Sequence, residues 1–339
     1  MITHPPIHQQ RMLNVLCLVL SIWLGIGILL SPYAIARGAA GMPPMDYTVL
    51  IVLSQEEGVY SEVVAGMRAS MPEKNAITLQ VLPLAEFMQR GDSAGEARQP
   101  DIILSVGTQA AKAVLSRASN IPVYVTLLPR LTYETLLQDN EQTRRARARP
   151  VSGIYIDQPF QRQVQLIRLA LPKSRNLGVV YGPLSRENEK RLRVAADSEQ
   201  FNLYAETIQS EHELFGALTR VLGESDVLLA LPDPGVFNKH TTQNILLETY
   251  RQQKPVIGYS HAYVAAGALA AVYSTPQQIG RQVGEELLQL RQRGGNTLPS
   301  PHYPRYFTVE VNERVARSLG VTVASAPTLQ AKLEETEDR

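Results

Sequence analysis

Six short runs of apolar residues restrict more than anything else how this chain can fold. They are Tyr47–Leu53, Ile102–Val106, Val123–Leu128, Leu177–Tyr181, Val227–Leu231 and Val256–Tyr259. Each is near-continuous in Val, Ile and Leu rather than alternating. A strand with one face in water alternates apolar and polar side chains, whereas a strand covered on both faces does not. The runs therefore predict parallel sheets with helices on both sides. The segments between them carry helical spacing, as in Val59, Val63 and Met67, or in Ile279, Val283, Leu287 and Leu290. Repeated strand–helix units define an α/β class with doubly wound sheets. A chain of 339 residues has room for two such domains, or three small ones.

One polar stretch, Gln138–Pro150, interrupts the rhythm and carries Arg144, Arg145, Arg147 and Arg149. An anion or nucleic-acid patch would suit the charge, but no aromatic side chain is interleaved, so a solvated loop between lobes is expected. The chain as a whole carries 33 Lys+Arg against 32 Asp+Glu, a formal charge of +1, which gives no field for a polyanion. No nucleic-acid partner is expected. The acidic end, with Glu334, Glu335, Glu337 and Asp338, is expected to fray, so that residues 324–339 form a flexible tail.

The N-terminus has a different character. Arg11 precedes an uncharged run from Met12 to Leu30, and Ala34-Ile35-Ala36 comes after it. A positive start, an apolar run and an A-x-A site describe a secretory signal peptide over residues 1–36. The run is also close to the roughly 20 residues that span a bilayer, so a retained membrane anchor is the alternative. Either way the remainder is exported, to the periplasm. Cleavage after Ala36 would remove Cys17, the one cysteine, so no intramolecular disulfide or cysteine-rich zinc site is expected.

Nucleotide-loop and nucleophile-elbow motifs are absent, and His212, His240, His261 and His302 form no zinc-helix pattern. No catalytic residue, metal or cofactor is expected. The informative residues lie at strand C-termini, where open parallel sheets bind ligands. Ser54 ends the first run. Ser105, Gly107 and Thr108 end another, and Thr108 opens a helix over Gln109–Arg117. Thr126 lies near the end of Val123–Leu128. Tyr181-Gly182-Pro183 ends a fourth, with Ser185 placed to cap the next helix, and Asp233 stands in Pro232-Asp233-Pro234. A hydroxyl beside free N–H groups at a helix start suits a carboxylate, and Asp233 could pair with an ammonium group. The alternative is that Thr108 and Ser185 only cap helices and Asp233 only makes a turn.

Four segments resemble the tryptophan/tyrosine-type ABC-transporter substrate-binding proteins. They are DIILSVGTQAA at Asp101–Ala111, VSGIYI at Val151–Ile156, NLGVVYGP at Asn176–Pro183 and PVIGYSHAYVAAGALAAV at Pro255–Val272. Gly267-Ala268-Leu269-Ala270 is the most specific piece. The resemblance runs from about Tyr47 to Val323. It implies a type I periplasmic-binding-protein architecture with two Rossmann-like lobes and three crossings between them. One lobe would hold 46–152 plus 272–297, the other 153–271 plus 298–323. It further implies a non-enzymatic binding protein that takes a small solute, such as an aromatic amino acid, by hinge closure. Thr108 would hold a ligand carboxylate and Asp233 would lie near an amine, with Thr126 and Tyr181 as further cleft positions; Ser54 joins the expected ligand-binding set by its place at a strand end. The partner would be an ABC permease in the inner membrane; alternatively, the same fold would report to a membrane sensor. The chain departs from the family pattern at Pro232-Asp233-Pro234, where the pattern has Thr-Asp-Asn, and at Gly182, where it has Asn.

Overall fold

All six apolar runs form strands, and the strands sort into two sheets. The computed structural model describes residues 47–72, 77–90, 99–117, 119–138, 149–294 and 297–337. The candidate signal segment with Cys17, and Arg144, Arg145 and Arg147, lie outside the described residues. The first sheet contains β1 (Tyr47–Leu53), β2 (Ile77–Pro83), β3 (Ile102–Val106), β4 (Val123–Leu128) and β5 (Val151–Tyr155), all parallel, in the order β2-β1-β3-β4-β5. The second contains β6 (Asn176–Tyr181), β7 (Asn202–Thr207), β8 (Val227–Leu229), β9 (Val256–Gly258), β10 (Ala270–Tyr273) and β11 (Thr308–Val311), in the order β11-β10-β9-β8-β6-β7. The expectation of wholly parallel sheets is corrected at β11, which runs antiparallel to β10.

Helices cover both faces of each sheet. Those near the first are α1 (Val59–Ser70), α2 (Leu84–Gln89), α3 (Thr108–Ser116) and α4 (Arg130–Gln138). The chain then adds α5 (Phe160–Ala170), α6 (Glu189–Ser198), α7 (Leu214–Glu224), α8 (Thr242–Arg251) and α9 (His261–Ala266) around the second. The last three are α10 (Pro276–Gln292), α11 (Glu313–Ser318) and α12 (Ala326–Glu337). The period-two alternation of a strand decides which helix each residue meets. Ile102 and Leu104 pack with Val63 and Met67 of α1 and Ile279 and Val283 of α10. Ile103 points the other way, to Ala110 and Val114 of α3.

The chain crosses between the sheets three times: after β5, between β10 and α10, and between α10 and β11. The second crossing ends in a strong local stop. Thr275 Oγ1 accepts the Gln278 N–H, Gln278 Oε1 accepts the Thr275 N–H, and Pro276 sits at the first helical position. The helix so started, α10, returns to the first sheet and lies directly on α1. A Cβ at Gly280 would come within 2.0 Å of the Val63 carbonyl oxygen, so only glycine permits this approach.

Two expectations about the loops fail. Arg149 is buried, not solvated: its Nη2 donates to the Val114 carbonyl in the last turn of α3, and burial pushes the guanidinium down to about 10. The expected flexible tail is likewise corrected over residues 326–337. It forms α12, whose Leu329 and Leu333, one helical turn apart, are fully buried against the second sheet's core. Burying each contributes roughly 1.5–3 kcal/mol, which outweighs the solvation of the acidic face.

The third crossing is fastened to the first sheet. His302 donates its N–H to the Gly153 carbonyl, and the His302 carbonyl accepts the Tyr155 N–H, extending the sheet beyond β5. The His302 ring lies 2.9 Å from Ser300 O through Nδ1 and 2.9 Å from Glu286 Oε1 through Nε2. A carbonyl and a carboxylate both accept, which favours the protonated ring, while the Gln282 Nε2 lies 3.1 Å from the same ring Nε2. The Glu286 hydrogen bond raises the His302 pKa above its ordinary 6.5. Burial pushes Glu286 up, but hydrogen bonds from His302, Tyr124 and Gln282 outweigh it and hold Glu286 below 4.5. Stability from the raised imidazole is complete below pH 6.5 and is lost as pH rises through the higher folded value. Stability from the lowered carboxylate is present above pH 4.5 and is lost as pH falls through the lower one. Urea midpoints should therefore show the advantage of the native chain over His302→Gln to be flat between about pH 4.5 and 6.5 and to shrink above that. An advantage that grows toward pH 8 would contradict the pairing.

Candidate functional site

The strand ends of the first sheet build an anion-compatible turn. Ser54, just past β1, donates its N–H to the Val106 carbonyl, and its Oγ accepts the Ala110 N–H at 2.9 Å. Gly107 turns the chain at φ 92° and donates its N–H to the Thr126 carbonyl. A Cβ there would lie 2.6 Å from both Ser54 Oγ and the Tyr60 ring, so the turn is closed by these two side chains and requires glycine. Thr108 then begins α3. The first N–H groups of a helix have no intrahelical acceptor. Ser54 takes that of Ala110, which leaves those of Thr108 and Gln109, and the half-buried Thr108 hydroxyl, without a partner among the described residues. Thr126 lies behind this turn, fully buried, its hydroxyl without a partner among the described residues.

The second sheet offers its expected residues differently. Asp233 is 1% exposed, and its carboxylate is occupied by backbone. Oδ2 accepts the N–H groups of Leu184 at 3.0 Å and Ser185 at 2.7 Å, and Oδ1 accepts that of Gly235 at 2.8 Å. Ser185 Oγ accepts the Gly182 N–H. The reading of Asp233 as a turn-maker thus describes its side chain better than the reading as an amine partner. Gly182 is part of the same arrangement, because a Cβ there would come within 2.6–2.8 Å of the Asp233 carboxylate. The two departures from the family pattern, at 182 and around 233, are one packing solution. Tyr181 is also committed elsewhere: its ring is fully buried with Leu177, Val179 and Leu192, and burial raises its phenol. It faces the core because it shares the strand face of Leu177 and Val179.

A second polar group, which reasoning from sequence missed, sits at the ends of β4 and β5. Arg130 opens α4. Its backbone N–H donates to Asp157 on the first crossing at 2.6 Å, its Nε to Glu134 at 2.7 Å, and its Nη1 to Tyr303 on the third crossing at 3.1 Å. Burial pushes the Asp157 carboxyl up to about 6, against the pull of the N–H it accepts. The ring of Tyr155 stands edge-on to those of Tyr133 and Tyr303, at 5.5 and 5.3 Å. Arg191, on α6 of the second sheet, reaches Glu134 at 3.4 Å. That pair joins the helices of one sheet to those of the other. The signal was available: Pro129-Arg130 comes just after a strand run, by the same rule that singled out Ser54. Among the described residues there is no group of three or more His, Cys, Asp or Glu placed to hold a metal ion.

Two helix-covered sheets joined by three crossings, with hydroxyls and a helix start at strand ends, define the two-lobed binding proteins of type I periplasmic-binding-protein fold. The chain belongs to the family of ABC transporter substrate binding proteins, whose model matches residues 95–331. The chain is similar to several solved structures. A substrate-binding protein with adhesive properties from Clostridium difficile, in its ligand-free, open form, is 20% identical with a TM-score of 0.62, covering 82% of this chain and 96% of that one. An ABC domain in complex with L-Trp from Streptococcus pneumonia is 16% identical with a TM-score of 0.55, over 82% and 96%. A conserved domain protein from Vibrio cholerae is 21% identical with a TM-score of 0.54, over 84% and 98%. At these identities the likeness establishes the fold. No curated protein matches the chain in sequence. Among the described residues no helix is long and apolar enough to cross a membrane.

Asp233→Asn should cost about 1–3 kcal/mol of stability in urea unfolding, because the new amide donor faces backbone donors with no acceptor to meet it. Solute affinity should change little. A variant of native stability that has lost its solute would instead place a cation on Asp233.

Proposed function

We propose that this chain is an exported solute-binding protein that receives a small anionic solute between two lobes and passes it to an ABC permease. The lobes are those the resemblance implied, 46–152 with 272–297 and 153–271 with 298–323. The return of α10 onto α1 supports the first grouping. The observation that carries the reading is the start of α3. There the Thr108 hydroxyl and the N–H groups of Thr108 and Gln109 have no partner among the described residues and lie at a parallel-strand edge, as an anion requires. Ser54 supports the turn from behind, and Thr126 lies one layer deeper.

The solute class is argued from the groups that each sheet leaves free. The first sheet supplies the anion contact. On the second, Asp233 is taken by three backbone donors and Tyr181 by the core, so an ammonium group finds no partner in either. A compact carboxylate with an apolar or aromatic body fits this arrangement. The L-Trp held by the Streptococcus pneumonia domain is a carboxylate with an aromatic body. A sensor role at a membrane is favoured by one feature, the near-spanning length of the apolar run Met12–Leu30.

Native mass spectrometry of the protein from its own host should identify a bound solute. Titration calorimetry with that solute should then show Thr108→Val to bind about 0.5–1.5 kcal/mol more weakly, with an unchanged melting temperature. Unaltered affinity in a folded Thr108→Val chain would remove the anion from the start of α3.

A further inference from the structure

The three crossings meet where they join the second sheet, and one buried polar network ties them together. On the first, Gln158 donates from Nε2 to Ser274 Oγ on the second, at 2.9 Å. Ser274 Oγ in turn donates to the Tyr306 carbonyl on the third, at 2.6 Å. Arg162, in the first turn of α5, gathers the same strands from the other side. Its Nη1 donates to Gln158 Oε1 at 2.5 Å and to the Pro304 carbonyl at 2.9 Å, and its guanidinium lies over the Phe307 ring at 4.1 Å. Gln158, Arg162 and Ser274 are all buried.

A guanidinium that is only 5% exposed gains much from a carboxylate beside it; the buried Arg149 has none among the described residues, whereas Arg162 has one. That carboxylate belongs to Glu337, the last residue of α12 and 175 residues away in sequence. It meets Arg162 as a two-pronged pair, Nε to Oε1 and Nη2 to Oε2, the latter at 2.6 Å. The rest of α12 is built to deliver it. Leu329 and Leu333 anchor the helix in the core. Gln330 accepts the Val309 N–H and donates to the Phe307 carbonyl, which lies next to the third crossing.

We propose that α12 is a strap on the hinge, and that Glu337 is a positioning residue for the two lobes. It holds Arg162 in the crossings, and Arg162 holds the crossings to one another. Without Glu337 the guanidinium is a buried charge with no counter-charge. Its release toward water would take with it the bonds to Gln158 and Pro304. The crossings would then slide independently, and the lobes would sample a wider range of separations with no ligand contact altered. The inference rests on the two-lobed hinge reading, but its test uses no solute, so it fails separately from the choice of solute or of its contacts.

The chain has one cysteine, Cys17, so Cys17→Ser frees it for paired spin labels at Lys112 on α3 and Lys190 on α6, both exposed. In the ligand-free full chain, Glu337→Gln should broaden the distance distribution on the order of twofold. Amide exchange at the crossings should rise about tenfold around residues 156–160, 273–276 and 303–307, with β3 unchanged. Arg162→Lys keeps a charge but loses the fork, and should move both readouts in the same direction by less. It also serves if Glu337→Gln does not fold. A variant that melts earlier yet keeps the native distance distribution and crossing exchange would overturn the proposal and leave α12 as a prop of one lobe only.

Discussion

The contact of α10 with α1, backbone against backbone at Gly280, is the constraint on which the rest depends. The chain completes most of the second sheet before residue 276, and the longest helix among the described residues then returns to cover the first. Once that helix is committed there, β11 can be added to the second sheet only by crossing again, so the sheets are joined by three strands of chain rather than one. Three parallel links permit a bend and resist a twist. In the proposed function these links are the hinge between the two lobes.

The site depends on parallel order. In each sheet the βα turns gather at one edge, and there the first sheet leaves helix-start N–H groups and the Thr108 hydroxyl unused. In the second sheet the Asp233 carboxylate is consumed internally, although the buried Tyr181 hydroxyl has no partner among the described residues. Asp233 fixes the Leu184–Ser185 turn and the Pro234–Gly235 turn at once, and Gly182 makes room for it. In the proposed function the first sheet therefore supplies the donors for a charge, while Asp233 is already bonded to three backbone N–H groups.

The interior strands were legible because both their faces are buried, so composition alone marked them. The edge strands were not. β2 and β7 carry mixed exposure along their length, and one interior strand, β10, was also missed because Ala-Ala-Val-Tyr is too small in volume to stand out as a run. The last helix escaped because two leucines one turn apart suffice to dock it, and the acids around them read as a solvated end. At the site, the start of α3 was visible in Gly107-Thr108. The direction of a side chain was harder to read. Tyr181 is at a strand end, but its strand face belongs to the core. Asp233 is at a loop, but its oxygens are spent within three residues and across to residue 184. Sequence position told where these residues stand, and hydrogen-bond accounting told what they are free to do.

In the proposed function the chain closes two lobes on a solute through a strapped hinge. Small-angle scattering tests it most directly, comparing the protein carrying its co-purified solute with the same sample stripped by partial unfolding, dialysis and refolding. A larger radius of gyration is predicted after stripping, reversed when the solute is returned. Superimposable profiles in the two states, with solute occupancy verified by native mass spectrometry, would contradict it.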